Sequence, residues 1–473
     1  MQQKLLRQLP KVDEIMADEK VAFLTKEFPR SAVLEAVRTV IDGRRQGILS
    51  GAIKDPEGMD LKGIIEDTAS ETLRIAAGSL KPVINATGVV LHTNLGRACL
   101  PERAMKKLMS VAGRYSTLEY DPEKGERGSR YVHAEELLKK ITGAEAAIAV
   151  NNNAAATMLA MAALGQGKEM IVSRGELVEI GGSFRIPDIM AQSGVKLAEV
   201  GTTNKTRLSD YESRITEDTA ALLKVHTSNY RIIGFSEDTS VRELRDLGDK
   251  YGLPVIYDMG SGLIMDLSPW GIREPVVKDA LEEGADLVLF SGDKLMGGPQ
   301  AGIICGRKDL IGRIKKHPLA RVVRADKMTF AALEATLQEY MDMKAAAENI
   351  PVLSMITRPY DELLASAMRL KQMTDGITDP GTGKAAYITG VTNDESKIGG
   401  GSAPETSIKS AVMWITREGI SPDSLEKLLR EGETPIIARI KNDKVVFDPR
   451  TLMKGDMEII TDRLESIALK TEK

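Results

Sequence analysis

Through the first eighty residues, apolar side chains recur at three- and four-residue spacings, in "KLLRQLPKVDEIM", "SAVLEAVRTVIDGRRQG" and "LKGIIEDTASETLRIAAG". That period belongs to amphipathic helices. Gly43 and Gly78 stand where helix ends are expected. Residues 1–81 therefore read as a small helical domain. Over residues 82–330 the pattern changes to short apolar runs separated by helical stretches. Seven runs are candidate strands: "AAIAV" (146–150), "MIVS" (170–173), "KLAEV" (196–200), "ALLKVH" (221–226), "PVIYD" (254–258), "DLVLF" (286–290) and "AGIIC" (301–305). Strands alternating with helices predict an α/β fold, a mostly parallel sheet flanked by helices. Over 331–473 a long helix, "FAALEATLQEYMDMKAAAENI", is expected to lead into a C-terminal α+β domain. There "TDPGTGKAAY" and "KIGGGSAPE" read as turns, and "EKLLREGETPIIARIKNDKVVFDPRTL" reads as a helix and a hairpin turning at Asn442-Asp443.

Composition narrows the function classes. The 473 residues are 42% hydrophobic and 28% charged, the balance of an ordinary globular chain. No apolar run reaches the roughly 18 residues of a membrane span. The opening "MQQKLLRQLPKVDEIM" lacks the apolar core of a secretory signal. Cys99 and Cys305 are the only cysteines, too few for a disulfide framework, so a reducing, cytoplasmic setting is expected. Cys305, inside "AGIIC", is expected in the core. Four histidines without a cluster argue against a metal site. A net charge of −4 argues against a generally basic, DNA-binding chain. Residues 1–81 hold thirteen basic and thirteen acidic side chains, so their charge gives no sign of RNA.

Ligands of parallel sheets bind at the carboxyl ends of strands, and four strand ends here carry polar chemistry. After "AAIAV" come Asn151, Asn152 and Asn153 and a helix starting near Ala154. A helix start with its free N–H groups binds phosphate, although three asparagines serve equally to cap a helix. "PVIYD" ends in Asp258, a carboxylate placed to pair with a pyridinium nitrogen or to cap the next element. "DLVLF" leads into Ser291, Asp293 and Lys294, then Gly297-Gly298. A lysine enclosed beside an aldehyde cofactor has a lowered pKa and becomes nucleophilic. Lys294 follows Asp258 by 36 positions, the order and approximate separation found in type I pyridoxal phosphate enzymes. The residues thus point to pyridoxal 5'-phosphate held as a Schiff base on Lys294, with Ser291, Asn152 and Asn153 on its phosphate. After "ALLKV" stand His226, Ser228 and Asn229, any one of which could reach the phenolic oxygen of that cofactor or simply stabilise a turn. Arg97 in "NLGRA", with Arg321 and Arg324 in "HPLARVVR", offers forks suited to tetrahedral oxyanions, the latter pair on one face if helical.

Taken together, "LLRQLPKVDEIM", "NATGVVLHTNLGRA", "LEYDPEKGERGSRYVH", "VNNNAAA", "SRGELVEIGGSFRIPDIM", "EVGTTNKT", "KVHTSNYRIIGF", "SGDKLMGGPQAG" and "HPLARVVRADK" make the chain resemble the bacterial selenocysteine synthases, the L-seryl-tRNA(Sec) selenium transferases, nearly end to end. The resemblance implies a type I pyridoxal phosphate fold and a cytoplasmic homo-oligomer, a decamer in the family. It implies conversion of seryl-tRNA(Sec) to selenocysteinyl-tRNA(Sec) with selenophosphate, through a dehydroalanyl intermediate. Carried over by motif, Lys294 is the cofactor lysine, Asp293 a functional neighbour, and Arg97, Arg321 and Arg324 hold the selenium donor. The helical domain is then expected to grip the tRNA, with Arg38, Arg44 and Arg45 as candidates. A rival of the same lineage is an ammonia lyase acting on a small amino sugar acid, which the N-terminal extension argues against. A rival of another class is a tRNA-binding scaffold without chemistry, which Asp258, Ser291 and Lys294 argue against. Segment 377–401 carries no function by resemblance.

Overall fold

All seven apolar runs become strands of one sheet: β1 (Ala146–Val150), β2 (Glu169–Ser173), β3 (Lys196–Val200), β4 (Thr219–Val225), β5 (Val255–Gly260), β6 (Leu287–Ser291) and β7 (Gly302–Gly306). The computed structural model describes residues 2–54, 60–76, 78–182, 184–230, 232–403 and 406–470. Strand order is β1-β7-β6-β5-β4-β2-β3. Only β7 runs antiparallel to its neighbours. It returns from β6 through a short loop, whereas parallel neighbours need a crossover. β1, β5, β6 and β7 are buried at every residue. Both faces are covered, which is why these strands read as unbroken apolar runs. Ala147, Val288, Phe290 and Cys305 face one core. Ile148, Leu287, Leu289 and Ile304 face the other. Cys305 is fully buried as expected, and burial pushes its thiol up to about 12.

The chain divides into two compact units, Met1–Val83 and Ile84–Lys473. Residues 331–473 thus pack with the large sheet. In the first unit, α1 (Gln2–Leu6), α2 (Val12–Met16) and α3 (Glu19–Glu27) precede the longer α4 (Arg30–Ser50) and α5 (Leu61–Ala76). Val33, Val37, Ile41, Ile64 and Ile65 join α4 to α5. The helix end expected at Gly43 falls instead at Gly51, whose φ is 77°. An interior glycine costs a helix only about 1 kcal/mol, and packing against α5 outweighs that.

The long helix expected after residue 330 is broken. α6 (Lys327–Glu339) is followed by α7 (Met343–Asn349), α8 (Pro351–Thr357) and α9 (Tyr360–Asp375). Asp342 ends the run, because its carboxylate caps the N–H groups of Lys344 and Ala345. Pro351 opens the next helix, where its missing N–H is not needed. Beyond lies an antiparallel sheet of β8 (Ile388–Lys397), β9 (Ser407–Thr416), β10 (Arg439–Lys441) and β11 (Lys444–Phe447), in the order β8-β9-β11-β10. Asn442 and Asp443 turn the β10–β11 hairpin with φ of 51° and 55°, the left-handed pair that matches strand twist. β8 is so polar, "ITGVTNDESK", that its sequence gives no strand signal. Of the turn "KIGGGSAPE", Pro404 and Glu405 lie outside the described residues.

One glycine ties the sheet to the asparagine turn. Gly302 opens β7 between Val150 and Ser291. A methyl group there would lie 2.0 Å from the Asn152 carbonyl oxygen. Gly302→Ala is therefore expected to lose about 1–3 kcal/mol in urea denaturation, as overpacked sites do. Gly312→Ala, which meets nothing within 4 Å on its helix, should gain up to about 1 kcal/mol.

Candidate active site

The ends of β1, β4, β5 and β6 share one edge of the sheet. At their centre is Asp258, buried at the end of β5. Its Oδ1 accepts from Asn153 Nδ2 at 2.9 Å and its Oδ2 from Thr157 Oγ1 at 2.9 Å. Both donors sit on the helix Asn153–Gly165 that follows β1, one turn apart and so on one face. The Gly260 N–H adds a third bond at 3.2 Å. Burial pushes the Asp258 carboxyl up from its ordinary value, against the pull of these bonds. Asn152 is the helix cap, accepting from the Ala155 N–H at 2.9 Å. The first N–H groups of a helix have no partner within it, so an oxyanion can be received beside that cap.

Lys294 lies just beyond β6 and is almost wholly buried, as are Ser291 and Asp293. Its amine is held below the ordinary lysine value, first by burial and then by the charge of Arg97. Arg97 donates to Asp293 Oδ2 at 2.9 Å, which brings these two sequence-expected residues together beside the lysine. Arg97 reaches that place on a left-handed backbone, φ 62°, after the turn at Gly96. The amine itself donates to the Gly401 carbonyl at 3.1 Å. That contact comes from segment 377–401, onto which the resemblance placed no function. Its signal was the run Gly399-Gly400-Gly401, which permits a close approach.

His226 follows β4, and its backbone N–H donates to the Asp258 carbonyl at 2.8 Å. Its ring Nε2 lies 3.0 Å from Glu274 Oε2, a partner for which no sequence motif gave a sign. Asn229 instead bonds the Glu179 carbonyl through its side-chain amide at 2.7 Å. Among the described residues, two buried polar atoms beside Asp258 have no partner, Asn153 Oδ1 and Ser228 Oγ. Ser228 Oγ is close to Gly260, 3.4 Å from where a β-carbon would stand.

Arg321 and Arg324 lie beside the asparagine turn, where the Asn151 N–H donates to the Val323 carbonyl at 2.8 Å. Their helix covers only Leu319–Val322, so Arg324 is not on a shared helical face as the spacing suggested. It bridges Val150 in extended backbone instead. Both line an open cleft of about 400 Å³ with Arg127, Arg130, Lys315 and Glu119. Glu119 accepts from Arg127 at 3.1 Å, Arg130 at 2.5 Å and Arg324 at 3.4 Å. Three guanidinium groups on one carboxylate leave net positive charge, and Arg130 first, then Arg127, holds its carboxyl below the usual range. The motif "GERGSRYVH" contained Arg127 and Arg130, which the sequence reading did not single out. Among the described residues, the side-chain partner of Arg97 is Asp293, and no hydrogen bond or ion pair joins Arg97 to this cluster.

The residues around Lys294 fit pyridoxal phosphate. A buried amine of lowered pKa, a buried carboxylate, a helix start and the orphaned Asn153 and Ser228 oxygens match its aldehyde, ring nitrogen, phosphate and polar edge.

Comparison with known proteins agrees with this donor set. A family model described as L-seryl-tRNA selenium transferase matches residues 83–453. A second, selenocysteine synthase N terminal, matches residues 6–45. The L-seryl-tRNA(Sec) selenium transferase of Alkaliphilus oremlandii is 46% identical over 98% of this chain and 99% of its own. That of Clostridium botulinum strain Okra is 48% identical over the same shares. Among solved structures, a D-glucosaminate-6-phosphate ammonia-lyase superposes with a TM-score of 0.56 at 23% identity, covering 82% of this chain and 96% of its own. The lyase shares the fold. The family model and the relatives match nearly the whole chain, and the chain belongs to the L-seryl-tRNA selenium transferase family.

Proposed function

We propose that this chain converts L-seryl-tRNA(Sec) to L-selenocysteinyl-tRNA(Sec), with pyridoxal phosphate as cofactor and selenophosphate as selenium donor. The observation that carries the reading is the buried pair Lys294 and Asp258, set at the strand ends of a chain that matches these transferases over 98% of its length. Bound there, the cofactor supplies an aldehyde for Lys294 and a ring that accepts the electron pair of the serine α-carbon.

The chain's own residues do the rest. Lys294, its amine kept toward neutrality by burial and Arg97, takes the α-proton. Asp258 holds the ring nitrogen protonated, and a cation brought against it favours the charged carboxylate. Asn153 and Thr157 fix its two oxygens so that it cannot turn away. Asn152, the helix start behind it and Ser291 receive the phosphate. His226 and Ser228 flank the ring. Water then leaves across the α- and β-carbons, the selenium of selenophosphate adds to the β-carbon while the α-carbon regains a proton, and water cleaves the Se–P bond to release phosphate. Arg97, beside Asp293, stands nearest the reacting atoms. Arg321 and Arg324 belong to the cationic cleft beside the asparagine turn and attract the anionic donor.

The tRNA is assigned to the N-terminal domain, residues 1–81. Arg44 pairs with Asp67 and Arg45 with Asp42, so Arg38, exposed on the same helix, is the stronger phosphate contact of the three. No helix among the described residues is long and apolar enough to cross a membrane, and we place the reaction in the cytoplasm.

Borohydride reduction of the purified enzyme should fix the cofactor to the peptide containing Lys294. Lys294→Ala should fold, lose the yellow colour and lose turnover, and recovery of the label on another lysine would refute the assignment. Arg97→Ala removes a cation that lowers the Lys294 value and exposes the amine to an unpaired Asp293, so both effects raise it. The rise with pH in the rate of water release from the seryl ester should therefore move to higher pH in that variant, whereas Arg324→Ala should leave that profile in place and fail to add selenium. Deleting residues 1–80 should leave the Lys294 linkage intact and abolish discrimination between tRNA(Sec) and tRNA(Ser) in filter binding. The binding that disappears should weaken steeply with salt, as phosphate contacts do. A truncated chain that still selects tRNA(Sec) gives the domain another role.

A further inference from the structure

Glu274 lies between β5 and β6 in "GIREPVV", and its side chain is only 6% exposed. Both of its oxygens are engaged. Oε2 meets His226 Nε2 at 3.0 Å and accepts from Ser261 Oγ at 3.2 Å. Oε1 accepts from the Ala403 N–H at 3.2 Å. One carboxylate therefore joins the ends of β4 and β5 to the loop between β8 and β9. That loop also sends the Gly401 carbonyl to the Lys294 amine at 3.1 Å, while Ser402 Oγ donates to the same carbonyl at 2.8 Å.

The loop backbone is not one that this sequence adopts freely. Gly399, Gly401 and Ala403 have φ of 116°, 80° and 45°. Glycine accepts such angles, but alanine does so rarely. The N–H that Glu274 takes is that of the disfavoured Ala403, so the carboxylate holds the loop where its own backbone preference does not.

We propose that Glu274 is a positioning residue that latches loop 399–403 over Lys294, so that the Gly401 carbonyl orients the free amine at the reacting carbon. The idea rests on the function proposed above. A neutral amine donates one N–H to a carbonyl and keeps its lone pair for the α-proton. A carboxylate in that position would instead favour the ammonium, which has no lone pair to offer. In the transfer, the proton passes from the α-carbon to Nζ, the N–H bond forms as the C–H bond breaks, and the bonding pair stays on the carbon side. The resulting ammonium donates to the same carbonyl, so the dock serves the amine before and after the step. Orientation of this kind acts on the rate of the step, not on substrate affinity.

The test is backbone hydrogen exchange on the full-length enzyme, with and without cofactor, in Glu274→Ala. Losing a bond to a charged acceptor should speed exchange of the 399–403 amides roughly tenfold or more. Exchange in Ile388–Lys397 and Ser407–Thr416 should stay as in the wild type. With seryl-tRNA(Sec) deuterated at the α-carbon, loss of the label should slow about tenfold in kcat, with KM within about twofold. Unchanged loop exchange overturns the latch. So does faster loop exchange with undiminished release of the α-label. If Glu274→Ala does not fold, Gly401→Ala takes its place. Its β-carbon would lie 2.8 Å from the Lys294 amine, so the amine should leave the carbonyl with Glu274 still in place. Slow release of the α-label is then expected even where alanine strains the loop backbone, and wild-type release overturns the proposal. Loop exchange is read without tRNA, so a wild-type enzyme that never turns over seryl-tRNA(Sec) would refute the proposed function and leave the latch to be judged by exchange alone.

Discussion

The site depends on one constraint: an amine and a carboxyl are buried together where an apolar sheet meets its polar loops. Burial disfavours charge on either group, lowering Lys294 and raising Asp258. The two differ in how the surrounding residues answer that cost. Asp258 has hydrogen bonds on both oxygens, which ready it for a cationic partner. Lys294 has a carbonyl and a neighbouring guanidinium, which keep it ready to give up or accept a proton. The same low-polarity setting thus prepares one group to become an anion and the other to remain a base, a separation of roles set by environment.

Holding these groups in register is the work of distant segments. The helix after β1 reaches Asp258 across the intervening β7 and β6. The turn carrying Arg97 is pinned beside the second sheet, because the Val90 and Leu91 N–H groups donate to the Lys397 and Ile398 carbonyls. Asp448 braces this region from below, accepting from Ser396, Ser410 and Arg439. It lies so close to Gly88 that a β-carbon there would meet its carboxylate at 2.0 Å. Residues 331–473 are therefore part of the site's scaffold, as the shared compact unit shows.

The cationic cleft follows a different logic. At the sheet edge beside Val150, three arginines share Glu119, and Lys315 is tied to Glu135 at 2.6 Å. Pairing fixes the side chains while the excess of positive charge remains, a preorganised anion surface.

By itself the sequence determined the sheet and the strand end at which Lys294 is buried. Short runs rich in apolar residues that alternate with helical stretches read as strands, so all seven were legible, as was the clustering of polar residues at their ends; the side-chain amide of Asn153, expected at a phosphate, instead binds Asp258. The Asn442-Asp443 hairpin was legible because few residues tolerate two left-handed angles in a row. Tertiary structure decided what local pattern does not encode. Helix α4 runs through Gly43 because packing against α5 outweighs a small propensity cost. Strand β8 exists because β9 pairs with it residue for residue, although its own side chains are mostly polar. Thr157 and Gly401 enter the site by contacts spanning 101 and 107 residues of chain, Glu274 joins it to a loop 129 residues away, and Arg324 leaves the helical face of Arg321 because its backbone pairs with Val150. A periodicity reports which face of an element is buried. It does not report which distant carbonyl or carboxylate that face will meet.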